Sequence, residues 1–257
     1  MKPTPVSSGL AAMLAALSMC PSLARADSGV PAATSVVDCT ADDGSQVGGA
    51  SNCAVDHSTA AVTTSPFVLL TASAAYDGGT PANSGGFVVL NYNFEVVGGT
   101  RDTVVPVDID AVLKQLAFNS GNSSAYGFAE VIVSTPSSST SAVICTSGCI
   151  DAATSLATTL QIDVFADEPG SNLVTLEVEA LAGGYADIPP NSASASADPL
   201  IHVDPGFADA GAYSIVLSDG VGNGIAAVPE PGSLAMMLGG LAFAGFGAGM
   251  SRRRLRG

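Results

Sequence analysis

The chain predicts an all-β protein, an antiparallel β-sandwich of jelly-roll type, on three observations. Apolar residues recur with a period of two, polar residues fill the alternate positions, and turn-forming clusters separate the runs. Successive side chains of a strand point to opposite faces, so this pattern marks strands buried on one side. Clean alternation with polar outer faces belongs to antiparallel sheets packed face to face.

Taken in order, residues 27–65 are small and polar and read as an irregular leader stapled by a disulfide, ahead of a sandwich body at 66–227. Phe67 to Tyr76 is a first, weaker strand. Val88, Leu90, Tyr92, Phe94 and Val96 then alternate with Val89, Asn91, Asn93 and Glu95. Val105, Val107 and Ile109 alternate with Asp108 and Asp110, and Pro106 predicts an edge position for that strand, because proline has no N–H to give to a ladder. Ile109 to Phe118 fits either period and is the one stretch of the body that reads as a possible helix. Phe128 to Ser134 and Ala142 to Cys145 are weaker strands, with Pro136 opening a serine-rich run, Ser137 to Ser141, that suits a flexible exposed loop. Leu160, Ile162 and Val164 alternate with Gln161 and Asp163; Val174, Leu176, Val178 and Ala180 alternate with Thr175, Glu177 and Glu179. Alanine and serine take turns from Ser192 before Ile201 and Val203, and Tyr213, Ile215 and Leu217 close the series. Asp77-Gly78-Gly79, Gly98-Gly99, Asn119 to Ser124, Glu168-Pro169-Gly170 and Gly183-Gly184 punctuate the strands, while Asp198-Pro199 and Asp204-Pro205-Gly206 read as turns.

Charge narrows the partners. Between Asp27 and Val228 only Arg101 and Lys114 are basic, against 22 acidic residues, a net charge of −20. Nucleic acid is excluded as a partner, since a polyanion needs a basic footprint. Mutual repulsion keeps such a surface soluble, and the same surface attracts divalent cations. Four cysteines lie in this region, Cys39, Cys53, Cys145 and Cys149. Three pairings are open; Cys39 with Cys53 and Cys145 with Cys149 close the shortest loops, and both intervening segments contain turn-forming glycines. Their spacings match no closed zinc module, and no metal is expected.

Both termini carry export signals. Lys2, an apolar run from Leu10 to Cys20 and the Ala24-Arg25-Ala26 site describe a signal peptide at 1–26, cut after Ala26. At the other end, Val228, Pro229, Glu230 and Pro231 open a segment at 228–257. Its apolar stretch from Leu234 to Met250 runs into Arg252, Arg253, Arg254 and Arg256. Seventeen residues at about 1.5 Å each make a marginal transmembrane helix. The arginines hold its end in the cytoplasm, which puts everything before Val228 across the membrane. Five glycines from Gly239 to Gly249 weaken the helix as a permanent anchor, although an uncleaved single-pass anchor is the plainer alternative.

The order proline-glutamate-proline, glycine-rich apolar helix and terminal arginine cluster resembles the PEP-CTERM sorting tail of exported bacterial proteins. The resemblance covers about an eighth of the chain. It implies recognition and cleavage by an exosortase-type membrane enzyme, transient insertion in the inner membrane, then residence at the cell surface or in extracellular polysaccharide. The stretch from Ser194 through Tyr213 to Ser218 resembles the last strand pair that commonly precedes such tails and names no activity.

Catalytic motifs are thin. There is no G-x-S-x-G elbow, no H-E-x-x-H and no glycine-rich phosphate loop. His57 and His202 are the only histidines of the chain, and both read as solvated surface residues. Glu177 and Glu179 share the outer face of one strand and are the best candidates for a glycosidase pair, while Asp204 with Asp209 is a candidate for calcium. Sugar stacking would fall to Tyr76, Tyr92, Tyr126, Tyr185 or Tyr213, for there is no tryptophan. The reading is an exported, exosortase-processed, non-catalytic protein without cofactors, structural within extracellular polysaccharide. A carbohydrate-binding module is the alternative, and a glycoside-active enzyme a more distant one.

Overall fold

The alternating runs become strands. The computed structural model describes residues 29–77, 82–118, 124–146, 154–168, 172–184 and 190–224. Thirteen strands lie among them: β1 (Thr34–Thr40), β2 (Gln46–Gly49), β3 (Asn52–Val55), β4 (Ser58–Thr63), β5 (Leu69–Tyr76), β6 (Ala82–Gly98), β7 (Val104–Phe118), β8 (Ser124–Ser134), β9 (Ser139–Cys145), β10 (Ser155–Phe165), β11 (Asn172–Gly184), β12 (Asn191–Val203) and β13 (Tyr213–Leu217). They form two sheets. The first runs β2-β1-β6-β11-β8-β9, with β13 beside β1 on the same edge of the long β6; the second runs β10-β7-β12-β5-β4-β3. Every ladder is antiparallel. From β5 onward each connection crosses between the sheets except the β8–β9 hairpin. The expected antiparallel sandwich is the observed architecture.

Period-two burial fixes the core. Val88, Leu90, Tyr92, Phe94 and Val96 of β6 all face inward, as do Val105, Val107 and Ile109 of β7 and Val174, Leu176, Val178 and Ala180 of β11, each buried to 1 % exposure or less. Towards the other end the inward residues shrink to Ala72, Ala74, Ala125, Ala182, Ala193 and Ala195. There the backbones approach each other: a Cβ on Gly86 would lie 2.3 Å from the Thr59 carbonyl oxygen of the opposite sheet. Only glycine fits so close a crossing.

Several expectations are corrected. The described part of the expected leader at 27–65, residues 29–65, is not irregular, because β1 joins β6 in the first sheet and β3 and β4 extend the second beyond β5. These strands are short and built from small residues, so their alternation of Val37 with Cys39, and of Ser58 with Ala60, is faint in sequence. Ile109 to Phe118 is strand, not helix. Gln115 occupies an inward position there while Val112, Leu116 and Phe118 face outward, which blurs the period. The serine run after Pro136 is strand from Ser139 onward, leaving a tight turn in which the Thr135 N–H donates to the Ser138 carbonyl over 2.8 Å.

Two prolines sit where a ladder ends on one side. β7 is not an edge strand, since β10 and β12 flank it. Yet Pro106 directs its carbonyl towards Asp204, whose N–H donates over 2.9 Å just beyond the last β7–β12 pair, Val107 with Val203. A residue's N–H and C=O point the same way in a strand, so the missing donor costs no bond. Asp198-Pro199 is likewise within β12 rather than a turn. β5 stops pairing at Ala197, and the side it vacates is taken by Asn223, whose amide receives the Ile201 N–H at 2.9 Å and donates to the Ile201 carbonyl. Pro199, two residues earlier, faces that vacated side. The Asp204 turn forms as expected, with Gly206 N–H donating to Asp204 Oδ1 at 2.7 Å.

Candidate functional site

The outer face of the second sheet is graded along its strands. At one end Asp108 and Asp110 of β7 stand beside Gln161 and Thr159 of β10 and His202 of β12. Gln161 Nε2 donates to Asp108 Oδ1 at 3.1 Å and to Asp204 Oδ2 at 3.0 Å. Asp110 accepts from the Thr159 hydroxyl at 2.5 Å, and its other oxygen lies 3.0 Å from His202 Nε2. These two contacts, Thr159 first, hold the Asp110 carboxyl below its ordinary value. His202 Nδ1 meets the Val203 carbonyl at 3.1 Å. Burial pushes the His202 imidazole down, but Asp110, the Val203 carbonyl and Asp108 outweigh it and the net shift is upward. With both ring nitrogens facing acceptors, His202 is arranged as a cation in a polar network, with no free lone pair for a nucleophile. It is not the freely solvated residue expected from sequence.

At the other end the same face turns to hydroxyls. β12 presents Ser192, Ser194 and Ser196, β5 presents Thr71 and Ser73, and β4 presents Thr59, whose hydroxyl meets that of Ser73 at 2.6 Å. These short side chains lie between taller ones: Lys114 pairs with Ser196, Leu116 with Ser194 and Phe118 with Ser192 across the β7–β12 ladder. The height difference leaves a shallow groove of about 510 Å³ lined by Thr59, Thr71, Ser73, Lys114, Leu116 and Ser194 among others. Leu116 and Phe118 are 60 % and 61 % exposed. Sequence reasoning saw the alanine–serine alternation but not the groove, which arises only when three strands are set side by side.

The first sheet's outer face differs. Glu177 of β11 lies directly opposite Glu130 of β8, and Glu179 follows two residues on, opposite Phe87 on one side and Phe128 on the other. Partial burial, then the Glu177 charge, raises the carboxyl groups of both Glu130 and Glu179. Glu177 and Glu179 do share one outer face, but they are half-buried and Glu130 is a third member that sequence spacing could not supply. Among the described residues no group of three His, Cys, Asp or Glu side chains is arranged to hold a metal ion.

Other expected site residues are dispersed. His57 pairs with Asp42 at 2.8 Å, which raises its imidazole. Asp209 precedes a 3-10 turn at Ala210–Ala212 and makes no side-chain cap bond. Tyr76 and Tyr92 are buried. Tyr126 stacks on Phe128 with centroids 6.4 Å apart, and Tyr213 packs on Phe207 at 5.8 Å. Cys39 and Cys53 form a disulfide, joining β1 of one sheet to β3 of the other. Cys145 is also disulfide-bonded. Cys149, Tyr185, Ala24, Ala26, the segment from Val228 to Pro231, the apolar stretch after it and the arginines from Arg252 to Arg256 lie outside the described residues.

An antiparallel sandwich followed by a C-terminal sorting segment defines an exported class of protein. Residues 227–254 match the family model of the PEP-CTERM protein-sorting motif. The chain is a PEP-CTERM domain-containing protein, and the motif implies export with processing by a membrane exosortase. No curated protein matches the chain, and no solved structure does.

Proposed function

We propose that, once released from its sorting tail, the body serves as a non-catalytic structural component of the extracellular polysaccharide layer. The observation that carries this reading is the PEP-CTERM motif at residues 227–254, which commits the body to export. The body's character supports it. At −20 net charge it repels copies of itself at low salt, and that repulsion is screened within about 10 Å at 0.1 M ionic strength. Divalent cations bridge such a surface to an acidic polymer more effectively than monovalent salt, because hard carboxylate oxygens are their preferred ligands. His202, with both ring nitrogens against acceptors, offers little to nucleophilic catalysis.

Retention tests the reading. Protein recovered with the washed extracellular layer is expected to rise with added calcium and fall on chelation at equal ionic strength. Retention indifferent to calcium would count against it. The Glu130, Glu177 and Glu179 cluster favours the enzymatic alternative in one respect, as carboxyl groups with raised affinity for protons suit acid catalysis. Cleavage of polysaccharide by the purified body, lost in a folded Glu177→Ala or Glu179→Ala variant, would replace the structural reading with that one.

A further inference from the structure

We infer that the free edge of β10 is an interaction surface for a second copy of this chain, the two β10 strands pairing antiparallel about a two-fold axis. β10 ends the second sheet and, among the described residues, pairs only with β7. The direction of its remaining backbone groups follows from that ladder. Gln115 gives its N–H to the Thr154 carbonyl at 3.0 Å, so the odd-numbered residues of β7 address β10. Their partners on β10 are Leu156, Thr158, Leu160, Ile162 and Val164. Ala157, Thr159, Gln161, Asp163 and Phe165 therefore point their N–H and C=O groups away from the sheet, because the direction alternates along an antiparallel strand.

The composition of this edge suits pairing. Sandwiches blunt their edges with short strands, lysine, proline or bulges. On the opposite side of the molecule the end strands β2 and β3 have four residues each, and β2 ends in Gly48-Gly49. β10 has 11 residues with no lysine, proline or glycine, and its register against β7 runs without a bulge. Charge points to a second copy as the occupant. β9, which ends the first sheet on the same side, has no charged residue and β10 has only Asp163, in a body of net charge −20. Two copies meet there with little local repulsion. A two-fold register over the whole strand sets Thr159 opposite Gln161, Ala157 opposite Asp163 and Ser155 opposite Phe165, so that outward backbone groups meet. The two copies of Asp163 then lie roughly 20 Å apart along the strands. Asp110 of one copy and Asp108 of the other are separated by three strand spacings, about 14 Å, beyond the screening length of about 8 Å at physiological ionic strength.

This inference goes beyond the matrix reading and involves neither polysaccharide nor calcium, so either can fail alone. The released protein would be studied in EDTA by sedimentation equilibrium and amide hydrogen exchange. The expected result is a monomer at 0.01 M salt, where screening reaches only to about 30 Å, and a monomer–dimer equilibrium at 0.15 M. In the dimer the amides of Ala157, Thr159, Gln161 and Asp163 gain protection, while those of Thr158, Leu160 and Ile162 are protected in the monomer already. Ala157→Pro removes one outward donor per copy without touching the β7 ladder, and should weaken dimerisation about thirtyfold, the effect of two backbone hydrogen bonds. Ala157→Asp sets a carboxylate opposite Asp163 of the second copy and should weaken it about fivefold; adding Asp163→Lys should restore it. A monomer at every concentration in 0.15 M salt, or dimerisation indifferent to both Ala157 variants, would overturn the inference. Outward amides already protected in the monomer would overturn it too, since another segment of this chain would then cover the edge.

Discussion

The two ends of the core are built from different materials. At one end Tyr92, Phe94, Val96, Val105, Val107, Leu160, Ile162 and Ile201 hold the sheets apart with large apolar side chains. At the other, Ala72, Ala74, Ala182, Ala193 and Ala195 leave so little volume that Gly86 meets the Thr59 carbonyl across the gap. Burying a large side chain contributes about 1.5–3 kcal/mol, and burying an alanine much less. The alanine end is also where the Cys39–Cys53 bond ties β1 to β3, since Cys39 pairs with Gly86 in the first sheet. Covalent linkage and close backbone approach stand in there for apolar volume. The small inward residues let the sheets draw together, and the small outward residues of the same strands make the groove.

If this division holds, the two ends should break in opposite ways. Phe94→Ala empties volume at the filled end and should lower unfolding free energy by about 3–5 kcal/mol in chemical denaturation. Replacing Cys39 and Cys53 together by serine removes a loop closed across 14 residues of sequence and should cost about 3 kcal/mol. Gly86→Ala adds one methyl group and should still cost about 1–3 kcal/mol, because the neighbour is backbone and cannot rotate away. A Gly86→Ala variant as stable as the parent would mean that the sheets are not in contact at that end.

The filled end was legible in the sequence and the alanine end was not. The run from Val88 to Val96 announces its inward face because large apolar residues alternate with polar ones at every position but Val89. At the alanine end, inward Ala193 and Ala195 differ from outward Ser194 and Ser196 by little more than a hydroxyl, so the pattern shows a strand but not its depth. Gln115 makes the point more sharply. It is buried at 5 % exposure and accepts a hydrogen bond from the Thr146 hydroxyl, 31 residues away, over 2.9 Å. No local pattern marks a polar residue as inward when its partner comes from another strand. The disulfide was legible as one of three pairings, because shortest-loop closure favours it. The Glu130–Glu177 pair and the groove depend on strand order, which periodicity does not contain.

The smallest expected effect lies on the outer face of the first sheet, where Glu179 sits between Phe87 and Phe128 towards the alanine end. Glu130 and Glu179 bind protons more tightly in the folded protein than the ordinary value of 4.5, first from burial and then from Glu177. A carboxyl group raised by folding makes the folded state the better proton acceptor, so its contribution is most favourable at low pH. That contribution is lost as pH climbs from 4.5 through the raised values. Glu177→Gln removes the like charge opposite Glu130 but leaves the burial. It should therefore raise stability at neutral pH by about 0.2–1 kcal/mol, with the gain fading as pH falls and Glu130 and Glu179 take up protons. Thermal unfolding of the two proteins across pH 3.5 to 7.5 checks this. Parallel curves at every pH would mean that the three carboxylates do not sense one another, and that the alanine end owes nothing to the charge above it.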